Sequence, residues 1–268
     1  MTTFLVLTDF SATAQVAMQY AGMLSRKLPA RLILLHAVPR HSPWLGSVDD
    51  ELVREARKKQ EKLKEMLITR AIPASMLSSE VINHFPLDTV VRDFAKAEKV
   101  DLIVMGTRGV SAKGNAVLGS YTVEVMESSP VPVIAVPGDA PVTGISCIVY
   151  PSDLQQIQVE MEVLVRYARV FGAAIHVLHI QRSATEKAPN EAVMLSQLRE
   201  KNGYERISFT VTAGHDLEEA IYGFTRDKNA DLLAMFTRKK GFFEKIFSRS
   251  LTGQLGNYAP VPVFISPK

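Results

Sequence analysis

Cysteine is almost missing: Cys147 is the single one in 268 residues. No intramolecular disulfide can form, so a reducing cytoplasm is the expected setting. Cys147 lies in the apolar run 145–149 and reads as an inert core thiol. Net charge is small as well, since 31 basic against 28 acidic side chains leave +3. That excess is too small to argue for nucleic acid or an anionic membrane surface as a partner, and neither is expected. No apolar run approaches the roughly 18 residues that cross a bilayer. The first nine residues carry no basic segment and end on Asp9, so they do not read as a secretory signal. Signatures of metal and hydrolase chemistry are missing too. Six histidines are present, but no His-x-x-x-His or cysteine pair supplies zinc spacing. There is no Gly-x-Ser-x-Gly elbow and no Walker A loop.

What is present is a repeat. Residues 5–11 (LVLTDFS) answer 149–155 (VYPSDLQ), aligning Asp9 with Asp153. Residues 34–37 (LLHA) answer 177–180 (VLHI), aligning His36 with His179. Residues 100–108 (VDLIVMGTR) answer 230–238 (ADLLAMFTR), and 129–137 (SPVPVIAVP) answer 259–267 (APVPVFISP). The first match has a longer offset than the last two. The second copy has therefore lost residues between its second and fourth strands. The polar, turn-forming stretch 138–144 (GDAPVTG) separates the copies, giving expected domains at 1–140 and 145–268.

Each copy alternates strand and helix patterns. In the first, 4–8, 31–38, 79–83, 101–105 and 133–136 read as strands, and 11–27, 49–68 and 87–96 as helices. Ser11 is placed to cap the first helix. The 49–68 helix shows an apolar stripe at Leu52, Val53, Ala56, Leu63, Met66 and Leu67. Strands alternating with helices predict an α/β fold: two tandem copies of an open, mostly parallel five-stranded sheet with helices on both faces. Ligands of such sheets bind at strand carboxyl ends, where the strand order reverses.

Two signals fall at such ends. Asp9 follows the first strand and reads either as a helix cap or as a ligand residue. After the fourth strand comes Met105-Gly106-Thr107-Arg108-Gly109, then nine residues, then Gly119-Ser120-Tyr121. Glycine lets the backbone approach a phosphate and turn its N–H groups inward. A helix starting at Ser120 would add free N–H donors and the positive end of its dipole. Arg108 and Lys113 read either as solvated loop charges or as phosphate partners. His36 and His179 read as packed, hydrogen-bonded histidines. Trp44 reads as a loop anchor or a cover for the pocket mouth.

The pattern Gly-x2-Gly-x9-Gly-(Ser/Thr), with an aspartate closing strand one and a histidine ending strand two, resembles the ATP-binding universal stress proteins, in the tandem form. Gly106, Gly109, Gly119 and Ser120 match it at each position. The resemblance implies a Rossmann-like, adenine nucleotide alpha hydrolase-like fold and ATP as ligand. It implies that Asp9 meets the nucleoside, that the backbones of Ala37 and Met105 frame the base, and that the 106–119 loop wraps the phosphates, with Ser120 and Tyr121 opening the next helix. Magnesium can bridge the phosphates, although no carboxylate near the loop marks a protein ligand.

The second copy departs from the pattern. Phe236 replaces the first glycine, Lys239 the second and Arg249 the third, while Asp153 and Ser250 persist. A phenylalanine where backbone should touch phosphate is expected to block the approach. The cluster Arg238, Lys239, Lys240, Lys245 and Arg249, interleaved with Phe242, Phe243 and Phe247, reads as a solvated loop and amphipathic helix, or as an anion or partner surface. The expected function is a cytoplasmic stress-response protein that binds ATP in its first half and regulates through occupancy. The alternatives are a nucleotide-independent interaction module for an unknown protein partner and a slow ATPase, although no positioned general base is visible. The apolar last strands, 131–136 and 261–265, are edges that need cover. They are expected to pair as an intrachain pseudo-dimer, with a further homodimer left open.

Overall fold

In the computed structural model the first apolar run forms strand β1, Thr2–Leu7, its last five residues buried. The described residues are 1–38, 46–69, 72–83, 86–107, 119–182, 188–236 and 261–266. Helix α1, Ala12–Lys27, begins where the Ser11 hydroxyl accepts the Ala14 N–H at 3.1 Å, and carries Arg26 and Lys27 in its last turn. Both features suit the helix dipole and its unsatisfied ends. Strand β2, Ala30–Val38, follows, then α2, Gly46–Thr69, and β3, Leu77–Asn83, after a short 3-10 turn at Ala74–Met76. Helix α3, Leu87–Ala97, leads to β4, Leu102–Gly106, and α4, Ser120–Ser128, leads to β5, Val133–Val136.

The chain divides into two compact units, the first being Met1–Val142 and the second starting at Thr143. The first unit's strands lie in the order β3-β2-β1-β4-β5. All four pairings are parallel. Right-handed crossovers then put α1 and α2 on one face and α3 and α4 on the other. In agreement, α1 packs on β4 and β5, α2 on β2 and β3, and α3 against α4. Leu5, Val6, Leu32, Leu34, Ile103, Val104 and Val136 lie between these layers with almost no exposure. Near-continuous apolar strands are what burial on both faces requires.

The second unit repeats this plan. Its elements are β6 Cys147–Pro151, α5 Ile157–Phe171, β7 Ala174–Gln181, α6 Glu191–Asn202, β8 Ile207–Ala213, α7 Leu217–Asp227, β9 Leu232–Phe236 and β10 Val263–Ser266. Its strands lie in the order β8-β7-β6-β9-β10, again parallel throughout. The missing residues of the second copy come out of one helix: α6 has 12 residues where α2 has 24. The duplication extends to small devices. Asp101 accepts the Thr3 N–H at 2.8 Å, and Asp231 the Cys147 N–H at 3.0 Å. Lys99 and Asn229, after α3 and α7, both take left-handed backbone, a common helix stop.

One expected core stripe is different in kind. On α2, Ala56, Leu63 and Leu67 are buried, but Met66 is 37% exposed and Gln60 is buried. Ala56, Gln60, Leu63 and Leu67 follow the i, i+4, i+7, i+11 line of one helix face. The Gln60 amide is accommodated because its Nε2 donates to Glu80 O at 2.9 Å and to Leu34 O at 3.3 Å, satisfying a buried polar group.

Candidate functional site

The strand order of the first unit reverses at β1, which has β2 on one side and β4 on the other. The crevice of such a sheet opens there, beyond the strand carboxyl ends. The ladders show where it begins. The β1–β4 ladder ends at Val6–Val104, so Met105 and Gly106 extend past β1. The β1–β2 ladder ends at Leu7–Leu35, with one more bond from Thr8 N–H to Leu35 O at 3.0 Å. Ala37 lies beyond it, paired only to the outer strand β3 at Ile82.

Between these two extensions sits the β1–α1 turn, which carries Asp9. Its Oδ1 accepts the Ser11 N–H at 3.0 Å, and the Thr8 hydroxyl accepts the Phe10 N–H at 3.1 Å. Asp9 is therefore not the cap of α1; Ser11 is. Phe10 has φ of +66°, an uncommon conformation for a non-glycine residue. Its ring stands 4.5 Å from that of His36, with the Lys59 ammonium 5.5 Å from its centroid. His36 Nδ1 lies 2.7 Å from Thr8 O. A carbonyl can only accept, so Nδ1 carries the proton. Burial holds the His36 pKa below its ordinary value, against the raising effects of the Thr8 carbonyl and of Asp9, and with a smaller lowering effect of Lys59. The histidine, expected to be packed and hydrogen-bonded, is both.

The far wall comes from β4 and α4. The Gly119 N–H donates to Thr107 O at 2.7 Å. That bond joins the two ends of the 108–118 loop and brings the first turn of α4 to the carboxyl end of β4. The buried Thr122 hydroxyl lies 3.2 Å from both Gly106 O and Thr107 O, latching that turn down. Gly119 occupies the N-cap of α4 and makes no side-chain cap bond. Tyr121 is 42% exposed on that turn. Arg108, Gly109, Lys113 and Trp44 lie outside the described residues, as does the side chain of Ser120. The structure thus places Asp9, Ala37, Met105 and Gly106 at the carboxyl ends of β1, β2 and β4, with Gly119 and the backbone of Ser120 tied to the end of β4. Thr8, Phe10 and Thr122 belong to the frame of these ends and were not singled out in the sequence. A signal existed for two of them: Ser152 precedes Asp153 as Thr8 precedes Asp9, and Thr252 answers Thr122.

Gly106 has a second reason to be glycine, beside the one expected. A Cβ there would stand 2.9 Å from Thr13 Cγ2 and 3.3 Å from both Ala14 N and Thr13 C, all on the first turn of α1. The glycine lets that helix lie close on the sheet, which is an internal packing role. Phe236, its counterpart, accordingly turns inward. Its ring meets Tyr150 on β6 at 5.4 Å and Phe264 on β10 at 6.3 Å. Phe264 in turn meets Tyr167 of α5. Phe236 is half-buried, and its ring packs with those of Tyr150 and Phe264. The adjustments are local. Helix α5 starts at Ile157, one residue later than α1 by the Asp9–Asp153 alignment, and its N-cap Gln156 makes no side-chain bond. The β6–β9 ladder ends at Val149–Leu233, one residue early. Tyr150, where the first unit has Val6, bonds the buried Glu160, where the first unit has Val16, and Ser152 at 2.9 Å. Burial, then Glu160, pushes the Tyr150 pKa far up.

The turn itself survives in the second unit. Asp153 Oδ1 accepts the Gln155 N–H at 3.0 Å and Ser152 Oγ the Leu154 N–H at 3.1 Å. Leu154 has φ of +66°, and His179 Nδ1 lies 3.0 Å from Ser152 O. The cluster from Arg238 to Arg249 lies outside the described residues. Among the described residues no helix is long and apolar enough to cross a membrane, and no three His, Cys, Asp or Glu side chains converge as a metal set.

Comparison with known proteins agrees with this geometry. The Thermus aquaticus "universal stress protein in QAH/OAS sulfhydrylase 3'region" is 30% identical over 136 residues, covering 50% of this chain and 97% of that protein. Universal stress protein MJ0577 of Methanocaldococcus jannaschii is 28% identical over 150 residues, covering 48% of this chain and 90% of that one. Both relatives are one unit long. The crystal structure of a universal stress protein from Archaeoglobus fulgidus shares the fold over 99% of this chain and 98% of its own, with a TM-score of 0.74 at 19% identity. The model of the universal stress protein family matches residues 1–137 and again 159–267. With both units matched and the same α/β plan in each, the chain belongs to the universal stress protein family.

Proposed function

We propose that the first unit binds ATP and that the protein acts in the stress response as a nucleotide-dependent regulatory or interaction module of the cytoplasm. The observation that carries this reading is the joining of the glycine loop's two ends: the Gly119–Thr107 bond brings the N-terminus of α4 to the carboxyl end of β4. The donors present fit a nucleotide. Asp9 accepts hydrogen bonds from the nucleoside, as an acceptor placed at the strand end where the order reverses. The backbones of Ala37 and Met105 frame the base, since each extends past the β1 ladder. The first N–H groups of α4 at Ser120 and Tyr121 and the glycine backbone at Gly109 meet the phosphates. Arg108 and Lys113 neutralise their charge, with magnesium carried by the phosphates. Asp9 is engaged in its own turn, and no base for water is assigned, so occupancy rather than turnover is the proposed signal.

Calorimetric titration of the full chain with magnesium and ATP tests the reading. About one ATP per chain is expected, because the glycines persist in one copy only. Asp9→Ala should weaken binding about tenfold, the worth of one hydrogen bond, and Thr122→Val should weaken it while Thr122→Ser does not. Absence of binding in the wild-type protein, or two equal sites, would defeat the proposal.

A further inference from the structure

The β1–α1 turn is an improbable conformation that both units nevertheless adopt. Phe10 and Leu154 occupy the same left-handed backbone at +66°, with no glycine to ease it. Each is preceded by a hydroxyl residue and an aspartate, and in each the second strand's histidine reaches across by Nδ1 to the carbonyl of that hydroxyl residue: His36 to Thr8 O at 2.7 Å and His179 to Ser152 O at 3.0 Å. That carbonyl lies one residue before the aspartate. In the first unit the same residue, Thr8, sends its N–H to Leu35 at 3.0 Å, so both backbone groups of Thr8 are tied to β2. Thr8, the residue that introduces Asp9, is thus held to β2 at both its N–H and its carbonyl.

We propose that His36 is a positioning residue of the ATP site: its Nδ1–H bond to Thr8 O holds the β1–α1 turn and so aims Asp9 into the crevice. This rests on the ATP-binding reading and adds to it a residue that acts through the turn. His36 does its work as a donor, so the side chain needed is one with an N–H at the Nδ1 position. Asparagine provides one and leucine does not. His179 makes the equivalent bond in the unit that has lost the glycines, and it is an internal control: its loss disturbs folding to a similar degree without touching the first unit's site.

The experiment titrates ATP into the full chain as wild type, His36→Leu, His36→Asn and His179→Leu, with amide hydrogen exchange of Ser11 followed in parallel. His36→Leu should weaken ATP about tenfold, His36→Asn should recover most of that loss, and His179→Leu should stay within about twofold of wild type while its melting temperature falls as for His36→Leu. The Ser11 N–H, bonded to Asp9 Oδ1, should exchange faster in His36→Leu and regain protection in His36→Asn. Unchanged Ser11 exchange in His36→Leu overturns the proposal. So does wild-type affinity in that variant, an equal loss in His179→Leu, or failure of asparagine to recover binding. If wild-type protein takes no ATP, the function reading fails, and Ser11 exchange still decides whether His36 holds the turn.

Discussion

Replacing Gly106 by alanine separates two explanations of the same glycine. If it exists to let phosphate approach, Gly106→Ala should leave stability alone and remove binding. The structure predicts the reverse emphasis. The new Cβ would stand 2.9 Å from Thr13 Cγ2, a side-chain atom, and 3.3 Å from Ala14 N and Thr13 C, which are backbone. Backbone in the first turn of a helix capped by Ser11 cannot yield as a side-chain tip can. Overpacking of this kind costs about 1–3 kcal/mol, partly offset by about 0.4–1 kcal/mol because alanine restricts the unfolded chain. The net loss should be about 1–2 kcal/mol, or roughly 3–8 °C in the first unit's transition. Gly138→Ala is the comparator. There, among the described residues, the only close atom is Thr13 Oγ1 at 2.9 Å, with Thr13 Cβ next at 3.7 Å, so a rotation at χ1 relieves it and the loss should stay below about 1 kcal/mol. In a Thr13→Ala background the Gly138 cost should vanish and the Gly106 cost should shrink without vanishing, since the backbone contacts remain. Differential scanning calorimetry without nucleotide reads all of these. A Gly106→Ala protein as stable as wild type would refute the packing argument and restore ligand approach as the reason for the glycine.

The buried cluster of the second unit should show a paired response. Tyr150→Phe removes a donor from buried Glu160 and should cost about 1–3 kcal/mol. Tyr150→Phe combined with Glu160→Leu should cost less than Tyr150→Phe alone, because no buried carboxyl is then left without its Tyr150 donor; additive losses in urea unfolding would contradict this. Stability should also fall in mild acid. Burial holds His36 and His176 below the ordinary 6.5, so between their folded values and 6.5 the unfolded chain binds more protons. The stability is complete above about pH 6.5 and is lost as pH falls through the lower folded values. Melting temperature from pH 7.5 to 5 should therefore decline, with a shallower slope in His36→Asn and His176→Gln. Equal slopes in all three proteins would show that these histidines do not drive the decline.

The elements, their order and their duplication were legible in the sequence because they depend on local periodicity. Apolar runs of strand length, helical spacing and the Ser11 cap each act within a few residues, and two copies of one pattern reinforce each other. Asp9 and the glycines were legible as a set because residues at the ends of β1 and β4 are brought together by any sheet of this strand order. The roles within the set were not legible, since a role depends on what lies across the gap. Asp9 and Ser11 both suit a cap, and only the turn's geometry gives the cap to Ser11 and leaves Asp9 at the crevice. Gly106 reads as a phosphate glycine until the first turn of α1 is seen resting on it. That the Phe236 ring packs with Tyr150 and Phe264 is likewise visible only in the structure. Gln60 has no place in an apolar stripe, and only the two strand carbonyls within its reach account for its burial. The sequence by itself determined which segments form strands and helices and that they do so twice, because hydrophobic period and capping are properties of neighbours in the chain. The tertiary structure alone decided which way each side chain faces and what it touches, because those contacts join Thr8 to His36, Gly106 to Thr13 and Tyr150 to Glu160 across distances in sequence that no local pattern records.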